Sequence, residues 1–218
     1  MIQRAVTVLI WVGLAFGTAV FFRETDLNLP GHNLGYAPRQ PIAFSHRLHS
    51  GELGIDCQYC HTGAEKTRFA AIPDAGTCMN CHRFVTAAWA SLLLEAQAAE
   101  KSGREPLPVV SPELEKLYTA VGFDPQSGKL DPSQAAGPVR WVRVHRLPDH
   151  VSFDHRRHVN AGVECRVCHG AVEAMEVVQQ VSDLSMGWCV NCHRSANRGE
   201  MAGLSGVQAT TDCGACHY

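Results

Sequence analysis

One short pattern limits what this chain can become. Cys57-Gln58-Tyr59-Cys60-His61 recurs as Cys78-Cys81-His82, Cys165-Cys168-His169, Cys189-Cys192-His193 and Cys213-Cys216-His217, and these motifs use all 10 cysteines. Cys-x-x-Cys-His is the attachment pattern of c-type haem. Two thiols three positions apart can each form a thioether with one vinyl group of the same haem. The adjacent histidine then offers an imidazole nitrogen to the iron. A disulfide framework needs no histidine after every second cysteine. Zinc sites also use Cys-x-x-Cys pairs, but they seldom place a histidine directly behind each pair. The motifs therefore predict five covalently bound c-type haems. Their thioethers fall on Cys57, Cys60, Cys78, Cys81, Cys165, Cys168, Cys189, Cys192, Cys213 and Cys216. Their proximal ligands are His61, His82, His169, His193 and His217.

Five porphyrins are large apolar bodies, so a chain of 218 residues needs little side-chain core of its own. The expected fold class is a loop-rich multihaem cytochrome c with few short helices, wrapped around five haems. The 19 glycines and 11 prolines suit such a chain. A net charge of −2 gives no basic field for nucleic acid. The basic residues are 15 Arg against 4 Lys. The planar guanidinium fork suits carboxylates such as haem propionates. Arg83 and Arg194 follow proximal histidines, and Arg47, Arg156 and Arg157 stand beside other candidate ligands.

Seven histidines lie outside the motifs. Four form a repeated Phe-x-His-x-x-His: Phe44-Ser45-His46-Arg47-Leu48-His49 and Phe153-Asp154-His155-Arg156-Arg157-His158. Two histidines three apart on one turn point in neighbouring directions, so each pair is expected to serve two different irons. His46, His49, His155 and His158 are thus the expected distal ligands of four haems. His145 is preferred for the fifth, with His150 the alternative and Met175, Met186 and Met201 behind them. A methionine would raise that haem's potential relative to two histidines. His32 is read as a loop residue. Irons held on both sides have no open position, which predicts an electron relay and no catalytic residue.

The repeat also organises the chain. Its histidines are offset by 109 residues and the following cysteines by 108 to 111, a steadiness that argues for duplication of a two-haem unit. The expected division is an anchor at 1–23, a first dihaem unit at 24–83, an insert at 84–140 and a second unit with three haems at 141–218. Within the insert, residues 87–101 read as a helix. Ser111-Pro112-Glu113 opens another, closed by Gly122. Residues 124–138 read as loop, and Trp141-Val142-Arg143-Val144-His145 alternates as a short strand would. At the N-terminus, residues 5–22 are 18 residues without a charge. A helix of that length is about 27 Å long, close to the roughly 30 Å hydrocarbon core. It is longer than a usual signal-peptide apolar region and ends in no small-x-small cleavage site. An uncleaved signal anchor is expected, N-terminus in the cytoplasm and haem region outside. Gly13 and Gly17 form a G-x-x-x-G that would let another helix approach.

Phe-x-His-x-x-His followed by Cys-x-x-Cys-His resembles the class III multihaem cytochromes, the cytochrome c3 and c7 relatives. Residues 40–83 and 142–194, with the anchor and the SPELEKLY insert, more closely resemble the pentahaem cytochrome subunits of alternative complex III, the bacterial quinol:cytochrome c oxidoreductase. The resemblance implies an electron-transfer subunit, not an enzyme by itself, single-pass in the bacterial inner membrane with its haems on the periplasmic side. It implies partners: an iron–sulfur subunit related to molybdopterin oxidoreductases, polytopic quinol-binding subunits and a monohaem cytochrome. Electrons would pass from quinol oxidation to a periplasmic acceptor or terminal oxidase. The last motif ends one residue before Tyr218, so an acceptor domain on the same chain is not expected. The alternative is a membrane quinol dehydrogenase of the NapC/NirT kind. A multihaem reductase is disfavoured, because no Cys-x-x-Cys-Lys is present.

Overall fold

The computed structural model describes residues 2–24, 33–204 and 206–218, apart from the side chains of residues 2, 5 and 22–24. Residues 25–32, His32 among them, lie outside the described residues. Helix α1 runs Ile2–Glu24. Leu9, Trp11 and Phe16 on it are 67 to 71% exposed, and a Cβ added at Gly13 or Gly17 would meet nothing within 4 Å. Among the described residues no helix is long and apolar enough to cross a membrane.

The rest is loop interrupted by short helices, with very little strand. A π-type turn covers Arg47–Glu52. Then come α2 (Cys57–Cys60), α3 (Ala75–His82), α4 (Trp89–Lys101) and α5 (Pro112–Val121). A two-residue hairpin pairs β1 (Phe123–Asp124) with β2 (Lys129–Leu130). Next are α6 (His155–Asn160), α7 (Cys165–His169), α8 (Met186–Asn197) and α9 (Cys213–Cys216).

Helix α5 forms as its local chemistry dictates. The Ser111 hydroxyl accepts from Leu114 N, Pro112 takes the first helical position, and Gly122 closes the helix at φ 72°. That helix carries the one described hydrophobic cluster. Leu117 and Tyr118 pack on Met79 of α3, with Ile42, Val110, Leu114 and Phe123 around them. The Tyr118 hydroxyl also donates to the His82 carbonyl at 2.5 Å. The insert thereby braces the second motif.

Residues 141–145 form no strand. The expected in-and-out alternation is absent, since Val142 and Arg143 are both exposed, and the pairing partner is a side chain. Val142 N donates to Gln40 Oε1 and Gln40 Nε2 donates back to Val142 O, both at 2.9 Å. One glutamine amide satisfies the backbone that a neighbouring strand would otherwise pair with.

The two repeats hold each other by reciprocal contacts. Arg47 N donates to Met175 O (2.9 Å), and at the equivalent residues Arg156 N donates to Thr67 O (3.2 Å). Gly51 presses on the Glu173 carbonyl, and at the equivalent place Asn160 Nδ2 donates to Glu65 O (3.3 Å). Each ligand-bearing turn therefore rests on the loop behind the other repeat's first motif. A Cβ at Gly51 would stand 2.2 Å from Glu173 O, with backbone in the way. Gly51→Ala is expected to cost about 1–3 kcal/mol, as overpacking does, read as a lowered denaturation midpoint with the haem complement unchanged.

Candidate haem centres

Every motif begins on a helix. A helical turn sets residues three apart on one face, so both thiols of each pair project to the same side. Four of the five starts are capped by a side chain. Asp56 accepts from Gln58 N, Asp74 from Thr77 N, Ser185 from Trp188 N and Asp212 from Gly214 N. Capping rules could have located these residues, but the reading from motifs alone passed over them. None of the ten cysteines is paired in a disulfide, and all are exposed or half-buried.

The polypeptide does not bury itself. It presents 15678 Å² of surface, where a compact 23.8 kDa chain would present about 9,900 Å². Eight hydrophobic side chains are buried among the described residues. Such a chain folds around something other than its own side chains.

The histidines stand in facing pairs. His49 faces His82 with ring centres 6.0 Å apart, and His158 faces His193 at 6.0 Å. His155 faces His169 at 6.4 Å and 7° from parallel. His150 faces His217 at 5.6 Å and 21°. A metal–imidazole bond is about 2 Å and a ring nitrogen lies about 1 Å from the ring centre, so two imidazoles on one metal stand roughly 6 Å apart. The separations suit a metal held between the rings. Among the described residues no three His, Cys, Asp or Glu side chains converge to hold a metal by themselves. Facing imidazoles and Cys-x-x-Cys pairs would hold an iron porphyrin, which would supply one-electron chemistry at its iron.

The repeated turns are nearly superposable at their rings. Phe44 meets His46 edge-on at 4.9 Å and stacks on His49 at 4.3 Å. Phe153 meets His155 edge-on at 4.8 Å and stacks on His158 at 4.5 Å. The phenyl ring wedges the two histidines apart and sends them to different motifs. The second of each pair faces the second motif of its own repeat. The first of the later pair faces His169, and His46 lies in the field of His61.

Ring orientation is set from behind. His61 Nδ1–H donates to Ala71 O (2.6 Å), His82 to Val85 O (2.8 Å) and His193 to Thr210 O (2.5 Å). His49, His155 and His158 donate likewise to Ser45 O (2.9 Å), Arg68 O (3.0 Å) and Asp154 O (2.8 Å). A carbonyl only accepts, so each contact puts the proton on Nδ1 and leaves the Nε2 lone pair for a metal. His46 departs from its counterpart, because its Nδ1 is buried without a hydrogen-bond partner among the described residues.

The candidates for the fifth iron fall in two places. The ring that faces His217 is His150. Around it Ser152 N donates to Cys216 O (2.8 Å), Val151 bridges to His217, and the Tyr218 hydroxyl donates to Asp149 O (2.6 Å). His145 instead packs on His169, centres 4.3 Å apart and 79° between planes. That is too close for two ligands of one metal. Met186 is 70% exposed, and Met201 Sδ touches Cys192 Sγ at 3.7 Å.

Burial keeps these imidazoles neutral. It lowers His46 to about 4, helped by His61 and His49. It lowers His169 to about 4, helped by His145, His155 and His61. His145 and His158 shift down for the same first reason. A neutral ring retains the lone pair that ligation needs. Burial also raises Cys60, Cys78, Cys165 and Cys189, and pushes Cys168 up to about 11. The arginines near the ligands are engaged with protein. Arg47 pairs with Glu52 and Glu176, Arg156 and Arg157 with Asp154, and Arg83 Nε donates to Met79 O (2.8 Å).

Comparison with known proteins agrees with this chemistry. Residues 151–218 match the family model described as cytochrome c7 and related cytochrome c. The chain is similar to the menaquinone reductase multiheme cytochrome c subunit of Nitratidesulfovibrio vulgaris. It is 22% identical over 200 residues, covering 82% of this chain and 76% of the relative. Both matches are to cytochromes c, the class that binds haem covalently through Cys-x-x-Cys-His.

Ala71, whose carbonyl holds His61, sits at φ 68°, where an L residue with a Cβ is strained. Ala71→Val is expected to destabilise the fold by about 1–2 kcal/mol, read as the shift in a denaturation midpoint. Ala71→Gly keeps the carbonyl in place and should not lower that midpoint.

Proposed function

We propose that this chain is an electron-transfer subunit of a quinone-linked membrane oxidoreductase, binding five c-type haems and no substrate. The observation that carries the reading is the set of facing imidazoles 5.6 to 6.4 Å apart. An iron held by two histidines has no position open to a substrate, so only electrons pass. Bound haem supplies one-electron chemistry at iron. The polypeptide positions the rings, keeps them neutral and holds neighbouring motifs together. We assign His49 opposite His82, His155 opposite His169, His158 opposite His193 and His46 opposite His61. For the last site we assign His150 opposite His217, in place of His145.

At finer grain the proposal is the pentahaem subunit of alternative complex III. The SPELEKLY helix, the duplicated Phe-x-His-x-x-His and the five motifs support it. The proposed setting is the periplasmic face of a bacterial inner membrane. Helix α1 would be the anchor, supported by the charge-free sequence of residues 5–22 and its exposed Leu9, Trp11 and Phe16. The open Gly13 and Gly17 suit a neighbouring helix of a polytopic subunit. The iron–sulfur, quinol-binding and monohaem partners belong to the same proposal. A second reading reverses the flow, with electrons delivered to the quinone. The relative's own name, a menaquinone reductase subunit, favours it.

Two measurements test the proposal. Intact mass of the purified protein should correspond to the chain plus five haems, and Cys213→Ser with Cys216→Ser should remove one. Gentle extraction from membranes should bring down large polytopic subunits with it. A chain that migrates alone would end the complex assignment. For the ligand set, His150→Ala should convert one reduced haem to a carbon monoxide-binding, high-spin form, whereas the unaltered protein binds none.

A further inference from the structure

His145 is left over once the facing pairs are formed. It is half-buried, and its Nε2 lies 3.3 Å from His169 Nδ1. It reaches that place from a segment pinned by two Gln40–Val142 hydrogen bonds. Its own carbonyl accepts from Arg143 Nε at 2.9 Å. His155 stands at 6.4 Å in a plane parallel to His169, so His169 is flanked by two imidazoles with different geometry. The parallel one is spaced to share a metal. The perpendicular one, at 4.3 Å, is spaced for a direct ring-to-ring hydrogen bond.

We infer that His145 is a positioning residue for the third motif: its Nε2 accepts the Nδ1–H of His169 and fixes that ring by a side chain, where six other haem-site histidines are fixed by backbone carbonyls. The inference rests on the haem reading above. If His169 gives Nε2 to iron, its remaining proton is on Nδ1. The acceptor must then be a bare nitrogen, which His145 supplies at Nε2 with its own proton on Nδ1. An acceptor behind a ligating imidazole makes that ligand a stronger electron donor, which stabilises the oxidised iron and lowers its potential. Carbonyls cannot be removed by substitution, but this acceptor can. The third site is therefore the one whose potential a single residue outside the axial ligands can reset.

The test uses the full-length protein with its haems. His145→Phe keeps an aromatic ring without an acceptor, and His145→Gln restores an acceptor oxygen. In a spectroelectrochemical titration His145→Phe should move one of five potentials upward by about tenfold in equilibrium constant, which is about 59 mV for one electron. His145→Gln should recover most of the shift. In electron paramagnetic resonance the low-spin signal of that site should change in His145→Phe, since nothing then holds His169 parallel to His155. Five unchanged potentials in His145→Phe would overturn the inference. Equal shifts in both variants would assign His145 to packing and overturn it too. A new carbon monoxide-binding haem in His145→Phe would make His145 an axial ligand and end the inference. If the unaltered protein lacks a haem on Cys165 and Cys168 by peptide mass, the haem reading itself fails, which is a distinct outcome.

Discussion

An imidazole presents one nitrogen to a metal reliably only when the other is engaged. That constraint explains much of this fold. Six histidine rings donate Nδ1–H to a backbone carbonyl, and the chain is routed to bring those carbonyls into place. Ser45 and Asp154 supply them from one turn before His49 and His158. Val85 returns at once behind the second motif, while Ala71 and Thr210 come back after longer loops. At Ala71 the backbone takes a left-handed conformation to do so. These loops look irregular, but each ends on an acceptor behind a ring. Hydrogen bonding is thus the means by which a chain with few buried side chains achieves fixed geometry.

The repeated sequence pattern gives the second level of order. One repeat's ligand turn lies against the other's post-motif loop, and the reverse contact is made at the equivalent residues. The hydrogen bonds of Arg47 with Met175 and of Arg156 with Thr67 are the paired examples. Neither ligand turn is supported wholly by its own repeat, so the two repeats form one framework. The insert adds a local brace, with α5 packed on α3 and Tyr118 bonded to the His82 carbonyl. The C-terminal motif is tied back separately through residues 149–152, and this tie sets His150 before His217.

The facing of several imidazoles was legible in the residue order, because its determinants are local. Cys-x-x-Cys-His points out one ring of each facing pair. Phe-x-His-x-x-His declares four more rings, and Phe44 and Phe153 prove to be the wedges that separate them. Ser111, Pro112 and Gly122 mark α5 for the same reason. Which of His145 and His150 faces His217 was not legible. It depends on the Val151–His217 bridge, between segments far apart in sequence. The strand expected at 141–145 is missing for a similar reason: its partner is the Gln40 side chain, about a hundred residues away. The Asp56, Asp74, Ser185 and Asp212 caps were local and readable, yet motif reading alone has no place for them.

The central claim is that every iron in this protein lies between two histidines. Low-temperature magnetic circular dichroism of the fully oxidised protein, quantified against total haem, tests it most directly. The account predicts bis-imidazole low-spin signals that sum to five haems, with no methionine-to-iron charge-transfer band and no high-spin component. A high-spin iron, or one carrying a methionine, would contradict it.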